Sequence, residues 1–339
     1  MKHWVVLTIV AAACGGGPSE QPVDAAETAR DAAADAPAAS GDIFVDGVRG
    51  TAGPECTEPA PCKTIRVAPG SYREAIFVQA FTPVTIVADQ VDITPDDDTA
   101  SVLSITGDAR VVIQGARLHG AKGVFADEGH GIYCTQNGKA APELVLERVT
   151  IEDNKSHGIF AAACSLVIKR STIRRNLGGG IATTRTYDIE NTFIVDNGVK
   201  DPLGLRGGFT VPANVDGVFR FNTVAGNHGL ESSGVATNSK TAVFDSNIVW
   251  GNTGGRNGRE IISGTWTRSI VGATNGPTGT GNLEVDPKFK DAAGGDYHLA
   301  GGPDAPCRDA GDPDTKVAVD YDGDARPAGK ADMGADELP

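Results

Sequence analysis

"LVLERVTIEDNKSHGIF" fills residues 144–160 and "LVIKRSTIRRNLGGGIA" fills residues 166–182, the second repeating the plan of the first 22 positions later. Three more stretches follow suit: "IENTFIVDNG" (189–198), "VFRFNTVAGNHG" (218–229) and "VFDSNIVWGNTG" (243–254). Each has a short run of alternating apolar residues, a polar turn ending in Asn, and a Gly close behind. Alternation with a period of two marks strands, because successive side chains of a strand point to opposite faces. A repeat in the low twenties predicts a solenoid. One coil cannot bury its inward Leu, Val and Ile alone, but stacked coils share a continuous interior and complete each other's sheets. The fold class predicted from the repeats is all-β: a solenoid whose walls are strands paired from coil to coil.

Asn154, Asn176, Asn197, Asn227 and Asn252 all stand where a strand gives way to its turn. Asn tolerates left-handed backbone angles, which suits a sharp corner, and stacked amides can bond in a ladder. The histidines share a position as well. His130 in "GHGIY" and His157 in "SHGIF" precede the same Gly-Ile step, and Gly179 fills that place one coil on. Exchange with Gly predicts solvated turn residues. The competing reading is that the two stack on neighbouring coils and share a metal.

The repetition resembles the right-handed parallel β-helix superfamily that includes pectate lyases and polygalacturonases, over roughly residues 64 to 270. The resemblance implies a single-stranded right-handed parallel β-helix with an irregular C-terminal cap, and a long strand face able to meet polysaccharide. The tail, "NLEVDPKFKDAAGGDYHLAGGPDAP" and then "DYDGDARPAGKADMGADE", resembles the C-terminal region of bacterial β-helix surface proteins of the choice-of-anchor Q type. The matching positions include Asp286-Pro287, Phe289, Asp296-Tyr297, Asp320, Arg326-Pro327, Asp332 and Glu337.

The N-terminal "MKHWVVLTIVAAAC" has a basic start, an apolar run too short to span a bilayer, and small residues before Cys14. It resembles a bacterial lipobox, with Ala11 where Leu is usual, which implies lipidation of Cys14 and passage to an outer membrane. The expected organisation is a signal over 1–13, a disordered tether over 14–41, the β-helix over 42–270 and the anchor-Q-like region over 271–339. The tether lacks β-branched clusters and aromatics. The chain stops at "DELP" without an apolar tail, so the N-terminal lipid is the expected membrane attachment.

Composition bounds the partners. Of 339 residues, 44 are Gly and only 6% are aromatic, which suits tight turns better than a helical bundle. A formal charge of −14 repels nucleic acid and other polyanions unless cations intervene. Export permits disulfides; the expected pairs are Cys56–Cys62 and Cys134–Cys164. Cys307 is then left over, buried as a small apolar residue or free.

Two groups of residues could carry chemistry. Lys169, Arg170, Arg174 and Arg175, with Asp196 nearby, offer the base and acid that uronate cleavage needs, calcium neutralising the sugar carboxylate. The plainer reading is charge that keeps strand faces soluble. Asp320, Asp322 and Asp324 alternate in "DYDGDARPAGKAD", an array of hard oxygen ligands for calcium. Its alternative is a turn satisfied by internal hydrogen bonds, with Arg326 as ion-pair partner. The sequence predicts a lipid-anchored envelope protein, non-catalytic, serving carbohydrate binding or as a surface scaffold. The alternative is a lyase, hydrolase or epimerase of acidic polysaccharide on the same coil.

Overall fold

A computed structural model describes residues 63–339 apart from 81–82, 99, 124–127, 199–205, 212–213, 232, 256–257, 273–278 and 303, together with Ile9–Val10 and Val45–Val48. Cys14, Cys56, Cys62 and the tether lie outside the described residues. Strand amides pair one coil to the next in parallel around three walls. The first wall stacks Ile76–Ala80, Leu103–Gly107, Ile132–Cys134, His157–Ala161, Gly179–Thr183, Phe209–Val211, Val235–Thr237 and Ile261–Ile262. The second begins at Lys63–Val67 and runs through Glu143–Glu147, Ser165–Lys169, Tyr187–Glu190, Val218–Arg220 and Val243–Asp245 to Thr265–Thr267. The third begins at Gly70–Arg73 and runs through Thr150–Glu152, Thr172–Arg174, Phe193–Val195, Thr223–Ala225 and Ile248–Trp250 to Ile270–Val271. In two early coils, Val84–Thr94 and Arg110–His119 bend to serve the second and third walls in turn. The right-handed parallel β-helix expected from the repeats and the resemblance they carry is the fold.

Register puts like on like. Along the second wall Ile113, Leu146, Ile168, Ile189, Phe219, Phe244 and Trp266 succeed one another inward. All are essentially solvent-free. Each contributes about 1.5–3 kcal/mol by leaving water. The aliphatic lower coils give way to an aromatic upper stack, with Phe244 and Trp266 ring to ring at 4.5 Å. Cys134 and Cys164, inward on adjacent coils, form the expected disulfide, with Cα atoms 5.9 Å apart. Cys307 is free and buried.

The Asn ladder exists, and its corner geometry differs from expectation. The left-handed residue is the one before each Asn: Asp153, Arg175, Asp196, Gly226 and Gly251, with φ between 52° and 70°. That turn swings the Asn inside, where Asn154 Nδ2 donates to Asn176 Oδ1 (2.8 Å), Asn176 to Asn197 (3.0 Å), Asn197 to Asn227 (2.9 Å) and Asn227 to Asn252 (2.8 Å). Glu260 Oε2 terminates the ladder by accepting Nδ2 of Asn252 at 2.7 Å. A buried amide without partners would cost about 1–3 kcal/mol, so full pairing is what makes the column tolerable. A second ladder, Asn222 to Asn247, lines the corner between the second and third walls.

The irregular C-terminal region closes the solenoid from the side. After the antiparallel hairpin Phe289–Asp291/Asp296–Leu299, the chain lies along the outer face of the third wall. There Tyr297 and Ala335 pack on Phe193, Val195 and Ala225, while Leu299, Cys307, Met333 and Leu338 pack on Ile248 and Ile270.

Candidate functional site

The side chains of the three walls that point outward differ in kind. On the first wall, register aligns Phe77, Ser104, Tyr133, Phe160, Ala182, Thr210, Ala236 and Ile262, a column without a charge. Tyr133 and Phe160 stack at 6.0 Å, half-buried, and His130 lies against Phe160 at 5.1 Å and Tyr133 at 5.8 Å. His157 joins them, 5.6 Å from both His130 and Phe160.

This corrects the reading of His130 and His157 as solvated turn residues. They do stack on neighbouring coils, but His130 is buried, and its Nδ1 accepts the backbone N–H of His157 at 3.2 Å. Both ring nitrogens of His157 are buried without a hydrogen-bond partner among the described residues. Burial, helped by the charges of His130 and Arg206, lowers its pKa to about 3, so the ring is neutral. The two imidazoles pack as flat rings with Tyr133 and Phe160.

The third wall carries charge in its lower coils. Outward there stand Asp92 and Arg117, then His119, Glu152 and Arg174. Glu152 is almost fully buried, yet it accepts Arg117 Nε at 2.5 Å, Arg175 at 2.7 Å and Arg174 Nε. Burial pushes its carboxyl up, and the guanidinium hydrogen bonds outweigh burial and hold it below the ordinary range. Asp92 behaves likewise: burial raises it, and hydrogen bonds from His119 (2.6 Å) and Arg117 (2.5 Å) bring it below normal. Asp153, bonded to Arg175 at 2.8 Å, is also lowered.

The five residues singled out for catalysis fall in separate places. Arg174 and Arg175 share Glu152. Lys169, on the second wall, pairs with Glu190 (3.1 Å), which also holds Arg220 (2.9 Å). Arg170 turns the corner and donates to the carbonyl of Tyr321 at 3.2 Å. Asp196 accepts the Tyr297 hydroxyl, so both of these secure the tail. Strand pairing accounts for the dispersal, since Lys169 and Arg174 lie on different walls.

The acidic array disperses too. Asp320 is buried, with Oδ1 accepting the N–H groups of Gly323 and Asp324 and Oδ2 that of Glu337, all at 2.8 Å. Asp324 is exposed and apart. Arg326 pairs with Glu337 at 2.6 Å, donates to Asn191 Oδ1 at 3.0 Å and lies 4.4 Å over the Phe221 ring. The internally satisfied turn is therefore the arrangement present. Of the three aspartates, only Asp322 reaches potential metal-binding neighbours among the described residues, and these are His298 and Asp336: one donor atom from each member of this trio lies within 4.8 Å of the others. Sequence reading missed the pair because His298 is 24 residues upstream and Asp336 is in the last strand-less stretch. Asp296, two residues before His298 and hydrogen-bonded to its Nδ1 at 2.6 Å, was a visible hint.

A family model for the right handed beta helix region matches residues 130–271. No curated protein matches the chain. Among solved structures, the crystal structure of pectate lyase Pel9A is similar at 13% identity, covering 83% of this chain and 86% of its own, with a TM-score of 0.39. A likeness that remote transfers no chemistry to these residues.

Proposed function

We propose that the chain is a non-catalytic envelope protein whose first wall binds neutral glycan. The observation that carries this is the outward column from Phe77 to Ile262: it holds no charge on a chain of net charge −14, and it stacks Tyr133 and Phe160 on adjacent coils. Sugar rings present C–H faces that pack on aromatic surface, and neutral chains avoid the repulsion a polyuronate would meet. Every basic candidate elsewhere is engaged in an ion pair or a contact to the tail, as a scaffold uses its charges. Glycan-array binding followed by titration of Tyr133→Ala and Phe160→Ala tests the reading. Each variant should weaken neutral-glycan binding about tenfold, with no release of reducing ends from the bound polymer. Binding that ignores both substitutions would remove the first wall from consideration.

Lipid attachment at Cys14 belongs to the same proposal. Among the described residues no helix is long and apolar enough to cross a membrane. Ile9–Val10 pairs in parallel with Val78–Gln79 at the open edge of the first wall; cleavage before Cys14 would uncover that edge. Replacing Cys14 with Ser should release the protein from membranes, and retention would refute lipidation.

One observation favours the enzymatic reading: Arg117, Arg174 and Arg175 converge with Asp92, Glu152 and Asp153 on one strand face. Incubation with pectate or alginate plus calcium, read by absorbance of unsaturated products, decides it. Turnover lost in Arg174→Ala would replace the binding reading with a lyase.

A further inference from the structure

We propose that His298, Asp322 and Asp336 bind a divalent transition-metal ion of the zinc type, fastening three separate segments of the C-terminal region to one another. The donors come from the strand Asp296–Leu299, the turn after Asp320 and the stretch before the C-terminus, and they lie within 4.8 Å of one another. Around an ion with bonds of about 2.1 Å, tetrahedral neighbours stand about 3.4 Å apart, so a modest contraction completes the set.

Two features point beyond a fortuitous acidic cluster. The first is the orientation of His298. Its Nδ1 faces Asp296 Oδ1 at 2.6 Å, the carboxylate contact that fixes tautomer and ring plane in metal-bound histidines. With the proton on Nδ1, the lone pair of Nε2 faces the Asp322 carboxylate at 3.3 Å, a spacing that an ion bound to both would span in place of a proton on Nε2. The second is Asp336, which is only 7% exposed. One oxygen accepts the N–H of Leu299 at 2.7 Å, and the other has no hydrogen-bond donor among the described residues. That oxygen, beside the Asp322 carboxylate and the His298 ring, is free to take a cation.

The donor types select the ion. One imidazole with two carboxylates favours zinc, cobalt or nickel over calcium, which takes six to eight oxygens. Asp320, which might have added oxygen, has both of its own occupied by backbone N–H groups. The His298 ring also touches the Phe193 ring at 5.0 Å, so the ion would hold the tail where the third wall first becomes apolar.

The test is calorimetric titration of the untagged full chain with zinc, repeated with cobalt(II) and followed by visible absorption. One equivalent should bind, and affinity should fall at least about tenfold in His298→Gln and in Asp322→Asn. His228→Gln, a half-buried histidine elsewhere, should bind like the parent. Asp322 is exposed on its turn, so Asp322→Asn tests the site even if His298→Gln folds poorly. Bound cobalt should show ligand-field bands without thiolate charge transfer, and zinc should raise the Tm of the parent but not of Asp322→Asn. Equal affinity in parent and Asp322→Asn, thiolate bands that place the ion on cysteine, or no binding by the parent would each overturn the site.

Discussion

The lower and upper halves of the third wall share one backbone plan and present opposite outer surfaces. One outward row reads Asp92, Arg117, Thr150, Thr172, then Phe193, Thr223, Ile248, Ile270. The neighbouring row reads His119, Glu152, Arg174, then Val195, Ala225, Trp250. Both switch from polar or charged to largely apolar in the coil after Arg174. Below the switch, carboxylates and guanidiniums bridge adjacent coils; above it, the C-terminal region covers the wall. Inside, the wall does not change: Ile151, Ile173, Ile194, Val224 and Val249 continue unbroken. The solenoid thus sets its interior by repetition and its exterior by what must lie against each coil.

The largest effect should come from placing charge on the wrong half. Phe193→Asp buries an uncompensated carboxylate under the tail and should cost about 3–5 kcal/mol in denaturant unfolding, with early proteolysis after residue 285. Thr150→Asp, two coils lower on the same row, should cost under about 0.5 kcal/mol. Equal costs would dissolve the distinction between the halves.

Next comes Glu152→Gln, which leaves three guanidiniums facing one neutral amide. The arginines are partly solvated, so about 1–3 kcal/mol is expected from the midpoint shift. Asn176→Ala, which breaks the internal ladder between Asn154 and Asn197, should cost a similar 1–3 kcal/mol. It should do so without moving the tail, a result that proteolysis can check.

The smallest effect, and the one that separates the halves most cleanly, is the response to pH. Asp92, Glu152 and Asp153 have folded pKa values below normal, so their stabilisation is complete above about pH 4 and fades as pH falls through the folded values. Asp196, Asp332 and Asp336 are raised by burial, so the folded state holds their protons more tightly than the unfolded chain does. Their contribution is largest at low pH and is lost as pH rises through the folded values. Hydrogen exchange of the metal-free protein should therefore show the tail gaining protection as pH falls through these raised folded values, while the strands Thr150–Glu152 and Thr172–Arg174 lose it below about pH 4. The same trend in both halves would contradict the assignment.

The coil, its inward columns and the first Asn ladder were legible because they rest on short-range repetition. Period-two alternation marks which side chains share a face, and the 22-residue shift marks which of them stack. What covers an outward face was not legible, because it depends on contacts as distant as Arg170 with Tyr321, 151 positions apart. The histidines were misread for a nearer reason. Exchange of His157 with Gly179 suggested exposure, yet both "HGIY" and "HGIF" place an aromatic ring three residues on, and those rings bury His130 and half-cover its neighbour. Asn222 and Asn247 escaped because their corner residue, unlike Asn154 and its kin, is replaced by Ser171, Thr192 or Ser269 in other coils.

Hydroxyl-radical footprinting of the intact protein, read residue by residue by mass spectrometry, tests the contrast between the halves most directly. Phe193, Tyr297 and Met333 should be protected, at most 6% exposed as they are, while Tyr133 and Phe160 on the open first wall should be oxidised readily. Oxidation of Phe193, Tyr297 and Met333 at the rate of Tyr133 would mean that the tail does not lie on the third wall.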